Sequence, residues 1–284
     1  MTPTDPTTRQ TLTVRVDDTD VRLHVAGQRR PGQRPLMLVH GSTGSTDSHY
    51  GYLFPMLAFD RQVVSVDLAA PAGDAPLVLE QLERQVLAAI EAACGDQTVD
   101  LMGYSLGAVL AADLAARHPA RVGSLVLVAG WMQTDGHQRL RNRIWHELRA
   151  ARAESLPAYM MFCAFSPAFI RLRTEAELAQ MAARIPLDGF VDRQMALNAA
   201  IDIRERIGDI RATTLVVGCT HDQMVPPEHA RLLFGGIDDA RYTQIDAGHA
   251  VVFERPAELL CQVSRFLDAP QRHPAGSVIE PDRP

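Results

Sequence analysis

Gly103-Tyr104-Ser105-Leu106-Gly107 places a serine midway between two glycines, and it is the local feature with the most definite chemistry. A serine hydroxyl is a weak nucleophile. It needs exposure, a base within hydrogen-bond reach, and donors that stabilise the negative charge its attack creates. A sharp turn from strand into helix supplies the exposure, and small residues two before and two after the serine let the backbone make that turn. The helix that follows adds free N–H groups and the positive end of its dipole. The candidate base is His249, in Gly248-His249-Ala250, because a neutral imidazole above its ordinary pKa of about 6.5 can take the serine proton. Two carboxylates stand on loops just beyond buried strands, where α/β sheets place their ligands: Asp222 and Asp135. The bland alternatives are a simple tight turn at Ser105, an Asx-turn or helix cap at Asp222 before Pro226-Pro227, and a surface turn histidine at 249. His221 reads as a loop neighbour of Asp222 rather than as the base.

These residues need a scaffold, and the hydrophobic pattern supplies one. Thr11–Val16 and Val21–Val25 read as an antiparallel pair, with turn chemistry at Asp17, Asp18 and Asp20. Leu36–His40, Gln62–Asp67, Val99–Gly103, Ser124–Ala129 and Thr213–Gly218 are compact apolar runs of the kind buried on both faces of a parallel sheet. Arg241–Asp246 is a more polar strand near the edge. Helical patterns cover Leu77–Ala93, Leu106–Arg117, Glu228–Phe234 and Pro256–Leu267. Alternation of this kind predicts α/β class: a three-layer sandwich with a mostly parallel sheet of about eight strands. Gln133–Asp209 breaks the rhythm. It shows only helical periodicity, with Leu140, Ile144 and Leu148 on one face and further helices over Ala158–Phe165, Thr174–Arg184 and Phe190–Arg206. The predicted organisation is a catalytic core over 11–132 and 210–268, a helical cap over 133–209, and mobile tails at 1–10 and 269–284.

The motifs in this order resemble the α/β-hydrolase fold family: His40-Gly41 after the third strand, the Gly103–Gly107 turn, the late acid in Gly218-Cys219-Thr220-His221-Asp222-Gln223-Met224-Val225-Pro226, and His249. The resemblance spans about Leu12 to Asp268. It implies a Ser105, Asp222, His249 triad and favours Asp222 over Asp135, although some family members use the earlier position. It also implies an oxyanion hole from the backbone N–H of Leu106 and of Ser42, with Thr43 as the fallback. The expected reaction is hydrolysis of a carboxylic ester, thioester or lactone through an acyl-enzyme, with no cofactor and no metal. The hydroxyls of Ser42, Thr43, Ser45 and Thr46 could solvate a polar end of the substrate, though loop capping is the better expectation for any one of them.

Trp131, Met132, Trp145, Tyr159, Met160, Met161, Phe162, Phe165 and Phe169 could line an apolar pocket over Ser105, or form the cap's own core. Tyr104, Thr43, Trp131, Tyr159 and Phe162 are the substrate-contact candidates, for a medium-sized apolar small molecule. The arginines of Arg139–Arg152 could attract an acidic partner such as an acyl carrier protein, but a solvated helix face is the stronger expectation. Two other function classes keep the same residues: a cofactor-free lyase or carbon–carbon hydrolase using His249 mainly as base, as in polyketide chemistry, and a ligand-binding receptor.

Composition narrows the field. The chain has 284 residues, 46% of them hydrophobic, and a net charge of −6, which argues against nucleic-acid binding. All 28 basic residues are arginine, so Schiff-base lysine chemistry, Walker phosphate loops and Ser-x-x-Lys nucleophiles are excluded. Codon bias in a GC-rich genome explains the missing lysine. Cys94, Cys163, Cys219 and Cys261 form no C-x-x-C pair and sit in apolar stretches, as buried hydrophobes do. Met1–Gln10 has neither a basic n-region nor an apolar h-region, and no apolar run reaches the ~18 residues of a membrane span. A cytoplasmic protein is expected.

Overall fold

The computed structural model describes residues 8–281. Strands β1 (Gln10–Val16) and β2 (Thr19–Ala26) form the antiparallel pair, turning at Asp17, whose φ of 50° is one that aspartate tolerates. The buried runs become β3 (Leu36–Val39), β4 (Val63–Asp67), β5 (Val99–Tyr104), β6 (Val122–Val128), β7 (Thr213–Cys219) and β8 (Ala240–Ile245). A short β9 (Val278–Ile279) joins them, giving a nine-stranded sheet in the order β1-β2-β4-β3-β5-β6-β7-β8-β9. β2 runs antiparallel to β4, and the neighbours from β4 onward are parallel.

The period of two in a strand sends alternate residues to opposite faces. Met37 and Val39 enter the core beneath α3 (Leu79–Cys94) and α4 (Leu106–Arg117), whereas Leu36 and Leu38 enter the other. Two short helices precede these in the chain, α1 (Thr46–Tyr50) and α2 (Leu53–Ala58), and neither has a clear signal in the sequence. Leu82, Val86 and Ile90 of α3 repeat at helical spacing and are wholly buried or nearly so. The second core holds Leu53, Phe54 and Leu57 of α2 against Met102, Val126 and Leu215 of the sheet.

Between β6 and β7 run six helices: α5 (Gly136–Ala150), α6 (Leu156–Ala164), α7 (Pro167–Arg171), α8 (Glu175–Ala182), α9 (Gly189–Ala199) and α10 (Arg204–Ile207). The pattern over Phe190–Arg206 is two helices, because the chain leaves helical geometry at Ala200 and Ile203. The face of α5 that carries Leu140, Ile144 and Leu148 is not its most buried one. Leu140 is exposed and Ile144 and Leu148 are only half-buried, while Gln138, Asn142 and Trp145 face inward. Gln138 completes the cap with Asp135, Asn142 donates to Met195 O at 2.7 Å, and Trp145 packs against Leu156, Met160, Val191 and Met195.

After β7 come α11 (Pro227–Gly236), α12 (Val251–Glu254) and α13 (Pro256–Asp268), with α13 burying Leu259 and Val263 in the second core. The chain beyond Asp268 is not the unstructured tail its prolines predict. Gly276 N donates to Ala240 O at 2.8 Å and Tyr242 N donates to Ser277 O at 2.9 Å, leading β9 onto β8. An edge strand with unpaired backbone groups is a template for such pairing, and Val278-Ile279 has the right residues for it. The predicted tail 1–10 lies largely outside the described residues, and Gln10 already belongs to β1. Among the described residues no helix is long and apolar enough to cross a membrane.

Candidate active site

Ser105 stands between β5 and α4 at φ 56°, ψ −122°, a conformation that a non-glycine residue holds only when its surroundings enforce it. Its amide donates to Val128 O at 2.9 Å, and its carbonyl accepts from Ala108 N at 2.9 Å. The flanking glycines are required by contact. A Cβ on Gly103 would lie 2.1 Å from Gly107 O, and one on Gly107 would lie 2.1 Å from Val39 O. Gly41 is equally constrained, since a Cβ there would meet Ser105 Cβ at 2.8 Å. Leu106 opens α4, so its N–H has no acceptor within the helix and is available at the dipole's positive end.

His249 Nε2 lies 2.8 Å from Ser105 Oγ, and His249 Nδ1 lies 2.7 Å from Asp222 Oδ2. A carboxylate only accepts, so the proton belongs on Nδ1, which leaves Nε2 to accept from the serine hydroxyl. Asp222 is buried, and its Oδ1 accepts from Met224 N at 2.8 Å and Val225 N at 2.7 Å. Asp135 is elsewhere. It caps α5 by accepting from Gln138 N at 2.9 Å and pairs with His229 Nε2 at 3.3 Å. His221 pairs with Asp246 at 2.9 Å.

The loop that leads to α1 wraps the other side of Ser105. His40 Nε2 accepts from Leu68 N at 3.0 Å, so Nδ1 carries the hydrogen and donates to Gly41 O at 2.8 Å. Burial holds the His40 pKa below its ordinary value. His49 Nδ1 accepts from Gly41 N at 3.2 Å; burial, then the nearby charges of His40 and His249, push its pKa down to about 3. Thr43, at φ 64°, donates its N–H to Gln194 Oε1 at 3.0 Å, which takes the fallback oxyanion donor out of play. Ser42 Oγ accepts from Asn198 Nδ2 at 2.9 Å. Ser45 caps α1, and Thr46 Oγ1 donates to Asp67 Oδ1 at 2.7 Å, so both act in loop capping.

Several substrate-contact candidates have other employment. Tyr104 is buried and donates its hydroxyl to His249 O at 2.9 Å, backing the imidazole instead of facing a ligand. Burial raises its pKa well above the ordinary phenol value. Trp131 belongs to the main core and donates to Thr134 Oγ1 at 2.9 Å. Phe162 is 62% exposed. Tyr159 is half-buried on α6, with its hydroxyl donating to Arg141 O at 3.1 Å. Trp145, Leu156, Met160, Val191 and Met195 make a core among the inserted helices, and Phe165 stacks on Phe169.

Three residues that tie the inserted helices to the site carry no local signal in the sequence. Gln194 and Asn198, four apart on α9, hold the loop at 42–43. Glu254 accepts from Gly248 N at 3.1 Å and from Ser166 N at 2.7 Å, and Ala250 N donates to Ala164 O at 2.8 Å. Both flanks of His249 are thereby fastened to the junction of α6 and α7. No local pattern marks such pairs, since each partner is an ordinary helix or turn residue.

With this geometry in view, residues 34–256 match the family model described as alpha/beta hydrolase fold. Pyrrolizixenacetamide deacetylase of Xenorhabdus hominickii is 31% identical, over 89% of this chain and 97% of its own. A protein of Azorhizobium caulinodans whose name assigns it as a carbamate hydrolase, RutD, is 30% identical over 75% of this chain and 83% of its own. Among solved structures, the enol-lactonase of Burkholderia xenovorans LB400 has a TM-score of 0.73 at 22% identity, covering 90% of this chain and all of that one, a likeness of fold.

Proposed function

Because the chain belongs to the alpha/beta hydrolase fold family, we propose that it hydrolyses a small acyl compound through an acyl-enzyme on Ser105. The observation that carries this reading is the unbroken hydrogen-bonded series Asp222–His249–Ser105, with links of 2.7 and 2.8 Å, set at the N-terminus of α4. Ser105 Oγ attacks the carbonyl carbon while His249 Nε2 takes its proton. Asp222 keeps the imidazole in the required tautomer and stabilises the imidazolium. The carbonyl oxygen becomes an anion held by the N–H groups of Leu106 and Ser42. Each such donor is worth about 2.7–4 kcal/mol in the transition state. The imidazolium then protonates the departing oxygen, sulfur or nitrogen. Water, deprotonated by His249, attacks the acyl carbon and frees Ser105. The bond broken is an ester, thioester or lactone, and the deacetylase and carbamate-hydrolase names of two relatives extend the range to acyl–nitrogen bonds.

The test pairs a fluorophosphonate probe with p-nitrophenyl acetate. Wild-type protein should be labelled and turn over the ester, and Ser105→Ala should lose labelling and at least about 10⁴-fold in kcat/KM. Turnover by Ser105→Ala at the wild-type rate would overturn the acyl-enzyme and favour His249 acting as base alone.

A further inference from the structure

Arg141 stands out on α5 as a half-buried cation without a partner among the described residues. On α5 its neighbours are engaged: Arg139 with Thr134 O, Arg143 with Glu147 at 3.8 Å, and Arg149 with Asp192 at 2.8 Å. Arg141 is half-buried, its Nε is wholly buried without a hydrogen-bond partner, and its side chain makes no hydrogen bond or ion pair among the described residues. Its direction is set by α5. His137, one turn earlier on the same face, bonds Gln223 O at 2.8 Å beside Asp222. Tyr159 of α6 caps the Arg141 carbonyl, and the ionisable groups close enough to influence the guanidinium are Cys163, Tyr159 and Asp222. Through His137 and the Arg141 carbonyl, this stretch of α5 is held between α6 and the loop that carries Asp222.

Further polar atoms stand nearby on the facing helices. Asn142 Oδ1 and Trp145 Nε1 of α5 and Asn198 Oδ1 of α9 are buried with no hydrogen-bond partner, and Asn198 also bonds Ser42. Asn142 links the two helices by donating to Met195 O at 2.7 Å. Each unpaired buried group carries a desolvation cost that a bound polar ligand would relieve.

We propose that Arg141 is a specificity residue that binds a free carboxylate on the substrate, so that the compound hydrolysed at Ser105 is an acyl derivative bearing a second, anionic end. This rests on the hydrolase reading above. A guanidinium matches a carboxylate with two parallel N–H bonds, and a partly desolvated site strengthens them. The inward-facing amides of Asn142 and Asn198 meet polar groups between the anion and the acyl carbon.

The test compares p-nitrophenyl half-esters of succinate, glutarate and adipate with their methyl-capped, uncharged counterparts. Wild-type kcat/KM should favour at least one half-ester over its capped partner by roughly 10- to 100-fold. Arg141→Gln should bring that ratio close to one, and Arg141→Lys should restore part of it. A wild-type ratio at or below one throughout the series overturns the proposal. So does a ratio unchanged in Arg141→Gln, which is what support of Asp222 alone would give, since both esters would then suffer equally. If Arg141→Gln fails to fold, competitive inhibition of the wild type decides: the free dicarboxylate matching the favoured ester must inhibit and its dimethyl ester must not. If no ester is turned over through Ser105, the hydrolase reading has failed. Calorimetric binding of glutarate, present in wild type and lost in Arg141→Gln, then judges Arg141 separately.

Discussion

Asp222 and Asp135 both follow buried strands, β7 and β6, yet their carboxylates are given different work. The Asp222 carboxylate is buried, fixed by two backbone N–H groups, and aimed at His249. That of Asp135 closes the first turn of α5. Asp222→Asn should therefore cost about 10⁴-fold in kcat, because an amide cannot hold the imidazole in the required tautomer. Asp135→Asn keeps the cap and should leave kcat/KM within about threefold, with stability altered by no more than about 1 kcal/mol. Steady-state kinetics on p-nitrophenyl acetate decide between them, and the reverse pattern would return the acid to the earlier strand. His49 makes a pH prediction. Folded, it resists protonation down to about 3, whereas an unfolded histidine titrates near about 6.5. Between those values the unfolded chain binds the extra proton, so stability is complete above about pH 6.5 and declines as pH falls toward 3. His40, lowered by burial too, acts in the same direction. Urea melts at about pH 7.5 and about pH 5 should show this loss, and His49→Asn should shrink it. An equal loss in both proteins would mean that His49 is not a buried neutral group.

At the scale of elements, the turn between β5 and α4 is legible because steric demand writes itself into residue type. Gly103 and Gly107 can be nothing larger, and apolar runs on either side fix where strand ends and helix begins. Gly107→Ala would drive a Cβ against the backbone of β3 and should cost more than about 3 kcal/mol, read by denaturant melts. A loss under about 1 kcal/mol would mean that the close approach of α4 to β3 is dispensable. The inserted helices are less legible, and α5 shows the reason. Its period is clear, but the period does not say which face is buried when apolar and polar residues are spread around the helix. Leu140 is exposed and Asn142 buried for that reason. The contacts of Gln194, Asn198 and Glu254 depend on where α9, α12 and the α6–α7 junction come together, and no local pattern reports that. Aromatic residue type is no better a guide, since Trp145 packs inside the insertion whereas Phe162 faces solvent.

Across the whole molecule, the layered α/β class follows from alternation of strand and helix, and the core strands fall within two residues of their predicted bounds. The far edge does not, because two residues of a proline-rich segment form β9 only where β8 offers unpaired backbone groups. Deleting 269–284 should uncover that edge, lowering Tm by a few degrees (about 2–4 °C per kcal/mol for a chain of this size) and raising light scattering on heating. An unchanged Tm and scattering would show that β9 does not protect β8. The molecule is acidic overall, at −6, so the one unpaired arginine of α5 matters against that background for any anionic substrate. The proposed hydrolysis depends on covalent catalysis by Ser105. The most direct measurement is rapid-quench mass spectrometry during turnover of p-nitrophenyl acetate. It should find one acetyl group on the peptide that contains Ser105, formed with a burst of p-nitrophenol of about one equivalent and absent in Ser105→Ala. Sustained turnover with that peptide unmodified, or with the acetyl group on another residue, would contradict it.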